Sequence, residues 1–201
     1  MKHIFKKYGD DAKTTLLLLH GTGGTEEDLL PLAAKIDPKA NVLSVRGNVL
    51  ENGMPRFFKR LAEGVFDEAD LQLRTKELYD FIREAAANYD FDGENVVAIG
   101  YSNGANIAAS LLFHYQNALR GAILHHPMVP KRDMELPDLN GKEIFISAGK
   151  NDPICPVSES EELQSLLTGA GANVQMCWLD HGHQLTMQEV ESAAKWYKDH
   201  I

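Results

Sequence analysis

The chain alternates, and the alternation decides its fold class. Short, unbroken apolar runs occur at Thr15 to His20 (TLLLLH), Val42 to Val45, Val96 to Gly100, Gly121 to His125, Glu143 to Ser147 and Val174 to Trp178. Longer stretches with helical period lie between them: Glu26 to Ile36, Glu68 to Asn88, Asn103 to Tyr115, Glu159 to Thr168 and Met187 to His200. A strand that is apolar along its whole length is covered on both faces. Strands of that kind separated by helices are βαβ units, which build a mostly parallel sheet. Ile4 to Tyr8 is expected to add an antiparallel edge strand. The expectation is an α/β fold: a central sheet of about seven strands with helices on both faces.

At 201 residues the chain suits one such domain, spanning residues 1 to 201, with a core large enough to need no disulfide or metal. Its formal net charge is -9. That sign repels phosphate backbones and anionic lipid, so neither nucleic acid nor a membrane is an expected partner. Cys155 and Cys177 form no C-x-x-C pattern, so a reduced, cytoplasmic setting is expected. No signal-peptide run follows the basic N-terminus, and no apolar stretch approaches bilayer length.

In an open α/β sheet, ligands bind beyond the carboxyl ends of the strands. Four polar or glycine-rich clusters stand at such ends: His20-Gly-Thr-Gly-Gly-Thr25, Tyr101-Ser-Asn-Gly104, Gly149-Lys-Asn-Asp152 and Asp180-His-Gly-His183. One segment breaks the rhythm. Residues 47 to 66 (GNVLENGMPRFFKRLAEGVF) form a long, mixed, aromatic connection, expected to overhang a site as a pocket-walling insertion.

Gly100-Tyr-Ser-Asn-Gly104 fits G-x-S-x-G, with a strand before it and a helix after it. Glycines are expected there because a Cβ would meet the neighbouring strand or helix. Ser102 is then a strained, exposed nucleophile at a helix N-terminus. The alternative is a Ser/Asn helix cap. A neutral hydroxyl needs a base, and the base needs an orienting acid. Asp152 and His183 follow later strands in the order Ser, Asp, His. His181, two residues away, is the rival base; Gly182 lets the loop turn His183 inward. Asp133 and Asp138 read as surface residues, and His125 and His126 as structural histidines. His181 and His183 could chelate a metal, but no third ligand has a natural spacing, so no metal or cofactor is expected.

An acyl-transfer site must also bind an oxyanion, usually with the N–H after the nucleophile and one from the loop after an early strand. Those are Asn103 and, by position, Thr22. The His20 loop matches neither G-x-x-x-x-G-K-[ST] nor G-x-G-x-x-G, which sets aside a phosphate loop. His20 itself reads as a brace for that loop.

Together these motifs resemble the α/β-hydrolase superfamily. They are closest to the small bacterial carboxylesterases of the phospholipase/carboxylesterase and dienelactone-hydrolase-like group. The resemblance runs from LLLLHGTGGTEEDLLPLA through RFFKRLAEGVFDEADL and VVAIGYSNGANIAASLL to SAGKNDPICP and DHGHQL. It implies a single-domain α/β-hydrolase with Ser102, Asp152 and His183 as triad and the Thr22 and Asn103 amides as oxyanion hole. It also implies Phe57, Phe58 and Phe66 as substrate-pocket residues, for which plain core packing is the alternative, and assembly as a homodimer. Dienelactone hydrolases carry cysteine where Ser102 stands, which favours ordinary ester chemistry.

The expected function is therefore a serine carboxylesterase acting on a small-molecule ester. A thioesterase or acyl-protein deacylase would use the same triad, and a ligand-binding protein on the same fold would have a broken one. A histidine base implies that activity falls as pH drops through about 6 to 7.

Overall fold

A computed structural model describes residues 1–9 and 12–201. In chain order its elements are β1 (His3–Lys6), β2 (Thr15–Leu19), α1 (Leu30–Ile36), β3 (Asn41–Val45), β4 (Val49–Glu51), β5 (Met54–Arg56), β6 (Arg60–Ala62), β7 (Val65–Phe66), α2 (Glu68–Tyr89), β8 (Val96–Tyr101), α3 (Asn103–His114), β9 (Gly121–His125), β10 (Glu143–Gly149), α4 (Val157–Gly169), β11 (Asn173–Leu179) and α5 (Met187–His200). Seven strands form one sheet in the order β1-β3-β2-β8-β9-β10-β11. Every pairing is parallel except β1 with β3, which is the expected antiparallel edge.

The apolar runs explain the layering. Along β2, Leu17 and Leu19 enter one core while Leu16 and Leu18 enter the other. Along β8, Val96 and Ala98 divide from Val97 and Ile99 in the same way. The first core is closed by Leu71, Leu78 and Ile82 of α2, the buried side of α3, and Leu163 and Leu167 of α4. The second is closed by Ala33 and Ile36 of α1 and by Ala193, Trp196 and Tyr197 of α5. A two-residue side-chain period thus serves two helical layers at once.

The connection after β2 passes through α1 to β3 on one side, and the chain then returns through α2 to β8 on the other. The strand order therefore reverses between β2 and β8, and a crevice opens at their carboxyl ends. Here α3 begins. A Cβ on Gly104 would fall on the Leu19 and His20 carbonyls, and one on Gly100 would lie 2.6 Å from the backbone of Ala105. These glycines let the first turn of the helix press onto the end of β2.

Two expectations change. The helix expected over Glu26 to Ile36 starts only at Leu30, with Pro31 in its first turn. Residues before it form turns, because the Glu26 carboxylate is buried and paired with Arg46 and Lys2. The segment 47–66 carries two small hairpins, β4–β5 and β6–β7, which apolar periodicity did not reveal. The signal was Asn52-Gly53, both at positive φ (52° and 79°), the turn a two-residue hairpin needs.

Replacing Gly104 with alanine is expected to cost at least about 3 kcal/mol, because the added methyl meets backbone that cannot move aside. Thermal or urea unfolding of Gly104→Ala against wild type measures this; a variant of unchanged stability would show that the contact is loose.

Candidate active site

Ser102 occupies the strand-to-helix turn at φ 51° and ψ -113°, a strained backbone for a residue with a Cβ. It stands at the N-cap position of α3, yet its side chain makes no capping hydrogen bond. The alternative of a simple helix cap therefore fails. Its Oγ lies instead 2.8 Å from His183 Nε2. His183 Nδ1 lies 2.7 Å from Asp152 Oδ2. The three side chains arrive from the ends of β8, β10 and β11 and form one continuous hydrogen-bonded line.

Asp152 is buried. Its Oδ1 accepts the N–H groups of Ile154 (2.8 Å) and Cys155 (2.9 Å). Burial pushes its pKa up, but the Cys155 N–H, His183 and the Ile154 N–H outweigh this and hold the carboxyl below its usual range. The His183 loop is fixed from the other side by Tyr101, whose OH donates to the His183 carbonyl at 2.8 Å. His181 turns away, with Nε2 3.4 Å from Glu189 Oε2.

His126 takes a larger part than the sequence suggested. It is fully buried, at φ 53°, immediately beyond β9. Its Nδ1 lies 2.9 Å from the same Asp152 Oδ2 that binds His183. Its Nε2 lies 2.9 Å from Glu189 Oε1, an ion-pair contact rather than a straight hydrogen bond. Burial opposes its charge, but Glu189 and Asp152 together raise its pKa. Glu189 is itself the third residue of α5, where it completes a capping box with Thr186 and accepts the Ser147 hydroxyl at 2.8 Å. Burial raises the Glu189 pKa, but His126 and the Thr186 N–H win and bring it to about 2. Behind these groups, His125 bonds Ser147 Oγ at 2.6 Å, and burial lowers its pKa to about 4.

The glycine loop after β2 lies opposite. His20 is its brace, as expected: Nδ1 donates to the Gly21 carbonyl (2.6 Å) and Nε2 accepts the Gly47 N–H (3.0 Å). Burial lowers its pKa, in keeping with that neutral tautomer. The Gly23 N–H is engaged by the Pro55 carbonyl at 2.9 Å. Among the described residues, the Thr22 and Asn103 N–H groups have no hydrogen-bond partner. Thr22, Asn103, Ser102 and His183 border one cavity of about 280 Å³.

The expected aromatic pocket needs correction. Phe66 lines the cavity, but Phe57 and Phe58 do not. Both are core residues, 1% and 0% exposed. Phe57 donates its N–H to Asn103 Oδ1 (2.7 Å) and packs on His20, while Phe58 packs edge-on against Phe66. The residue before them, Arg56, points to the cavity instead, joined by Arg60, Glu63 and Gly64 from the same segment. Cys155 also borders the cavity, buried, with its Sγ 3.4 Å from the His126 carbonyl. Burial raises its thiol pKa, so it is no thiolate at neutral pH.

Two trios come close enough to hold an ion, with ligand atoms within 4.8 Å: His126, His181 and Glu189, and His126, Asp152 and His183. In both, those atoms already face one another across the contacts just described. A metal in the second trio would break the line to Ser102.

The sequence profile of phospholipases and carboxylesterases matches residues 3–201. The chain belongs to this family. It is 62% identical over 201 residues to MhqD of Bacillus subtilis (strain 168), a hydrolase by name, with all of both chains covered. The crystal structure of a Bacillus cereus carboxylesterase superposes with a TM-score of 0.99 at 68% identity, covering 100% of this chain and 95% of that one. The structure of YahD with malic acid superposes with a TM-score of 0.95 at 34% identity, covering 100% and 99%. The α/β-hydrolase resemblance and the class of carboxylic ester hydrolase stand on these matches.

One measurement probes the charge behind the line. Glu189 contributes stability above its unfolded pKa near 4.5, lost as pH falls toward about 2. Glu189→Gln is therefore expected to melt below wild type at pH 7, with the gap closing between pH 4.5 and 2.

Proposed function

We propose that this protein is a serine carboxylesterase that hydrolyses small or short-chain esters through an acyl-enzyme on Ser102. The observation that carries this reading is the line from Ser102 Oγ through His183 to Asp152, at 2.8 and 2.7 Å, with the serine hydroxyl released from any capping role. His183 Nε2 takes the Ser102 proton as Oγ attacks the ester carbonyl. Asp152 holds the proton on Nδ1 and stabilises the imidazolium. The Thr22 and Asn103 amides, which have no protein partner among the described residues, receive the oxyanion. His183 then protonates the leaving alcohol, and a water activated at the same Nε2 releases the acid.

A cavity of about 280 Å³ bordered by arginine and glutamate suits a short, polar acid better than a long alkyl chain. Malic acid, which the YahD structure contains, is such an acid. Among the described residues no helix is long and apolar enough to cross a membrane. A net charge of -9 supports a small-molecule substrate over nucleic acid, and two free cysteines suit a cytoplasmic setting. The family resemblance supports a homodimer.

Turnover of p-nitrophenyl esters from acetate to octanoate tests the reading. Wild type is expected to favour the shortest chains, and Ser102→Ala to lose at least about 10³-fold in kcat. Equal rates in the two proteins would remove Ser102 as nucleophile. Thiol esters of the same acids would distinguish a thioesterase, which would turn them over faster.

A further inference from the structure

The cavity beside Ser102 contains a buried cation that the ester chemistry above does not use. Arg56 ends β5 and is only 4% exposed. Its Nη1 donates to Thr22 Oγ1 at 2.6 Å, and its Nε to the Phe58 carbonyl at 3.2 Å. Its guanidinium carbon lies 5.7 Å from the centre of the Phe58 ring. Among the described residues, Nη2 makes no hydrogen bond, and it is not one of the sealed polar atoms. It is a donor with access to the cavity that Arg56 lines.

The charge around Arg56 is unbalanced. Its nearest carboxylate, Glu51, stands 3.5 Å from Nη1, beyond a good hydrogen bond. Glu51 is held more closely by Arg60, whose Nε reaches both carboxylate oxygens at 3.0 and 3.2 Å. One carboxylate thus serves two guanidiniums. Glu63, also on the cavity wall, is exposed, where water screens it. Burial first, and then the like charge of Arg60, disfavour the Arg56 cation. Burying a charge without a close partner is costly. With Nε and Nη1 engaged, Nη2 is the donor left for an anion, and its charge-assisted hydrogen bond to a carboxylate is a strong one.

Position narrows the ligand further. Arg56 touches Thr22, the residue whose amide faces the oxyanion site. Arg56 and Ser102 line the same cavity, so an anion on Arg56 shares it with the ester under attack.

We propose that Arg56, assisted by Arg60, is an anion subsite of the catalytic cavity, and that the substrates are esters carrying a free carboxylate near the scissile bond. This rests on the esterase reading. Hydrolysis leaves the recognised carboxylate unchanged: water adds to the acyl-enzyme, the Ser102 ester bond breaks, and the proton returns to Oγ. Where the carboxylate is on the acyl half, the product is a dicarboxylate, and the second negative charge appears only at the last step, beside the first.

The test compares monoethyl glutarate with ethyl pentanoate, which differ by a terminal carboxylate in place of a methyl group. 3-Acetoxypropanoate against propyl acetate places the charge on the alcohol half instead. Wild type is expected to favour the anionic member of at least one pair by about 10- to 100-fold in kcat/KM, the size of one charge-assisted contact. The anionic-to-neutral ratio should collapse in Arg56→Gln, fall in Arg60→Gln and rise in Glu51→Gln, which removes the competing carboxylate. Should Arg56→Gln fold poorly, the opposite movements of the other two variants decide. Neutral esters turned over by Ser102 with no anionic preference, and a ratio blind to these variants, would overturn the subsite and leave the esterase. If wild type hydrolyses no ester, the esterase reading falls, and calorimetry with glutarate decides the subsite: binding abolished in Arg56→Gln supports it, and no binding to wild type overturns it.

Discussion

The site depends on one close contact: the first turn of α3 seated on the carboxyl end of β2. Leu19 and His20 present carbonyls where an ordinary residue at position 104 would place its Cβ. Because that space is kept empty, the turn carrying Ser102 can stand at the point where strand order reverses. The same approach brings Asn103 beside the glycine loop, where its side chain accepts the Phe57 N–H at 2.7 Å. A helix start, a loop and a hairpin segment are thereby tied together by packing that no side chain of ordinary size would permit. Strain at Ser102 is held there by this packing on both sides.

Much of this was legible in the sequence for a physical reason. Buried parallel strands must be apolar throughout, so TLLLLH and VVAIGY announce themselves. Beyond their ends the backbone can turn only where small residues stand, so HGTGG and YSNG mark the crevice. Ser102, Asp152 and His183 stood out because each lies within four residues of such an end and they follow one another in the order Ser, Asp, His. His126 obeys the same rule, since it directly follows β9, but an imidazole there has several structural uses. Its role appears only when Asp152 and Glu189, 26 residues downstream in one case and on the last helix in the other, meet around it. The segment 47–66 was the hardest to read. Its aromatics suggested a pocket, yet successive residues of extended backbone point to opposite sides. Sequence spacing alone does not say which of Arg56 and Phe57 faces in, and the structure gives the cavity to the arginine.

Charge is arranged around the site in two separate groups. Behind Ser102, Asp152 and Glu189 hold His126 between them, so the acid that orients His183 also faces a second imidazole. In front, Glu51 is divided between Arg56 and Arg60. In both places two charged or chargeable groups share one partner, and a shared carboxylate pairs less completely with each. A protein whose overall charge is -9 thus places two arginines on the wall of the cavity that Ser102 borders.

The capping box of α5 gives the arrangement a further property. Glu189 accepts two donors from Thr186 and also faces His126, so the start of the last helix and the surroundings of Asp152 share one carboxylate. The seating of the last helix and the surroundings of Asp152 are therefore one structural unit, joined through Glu189 and His126.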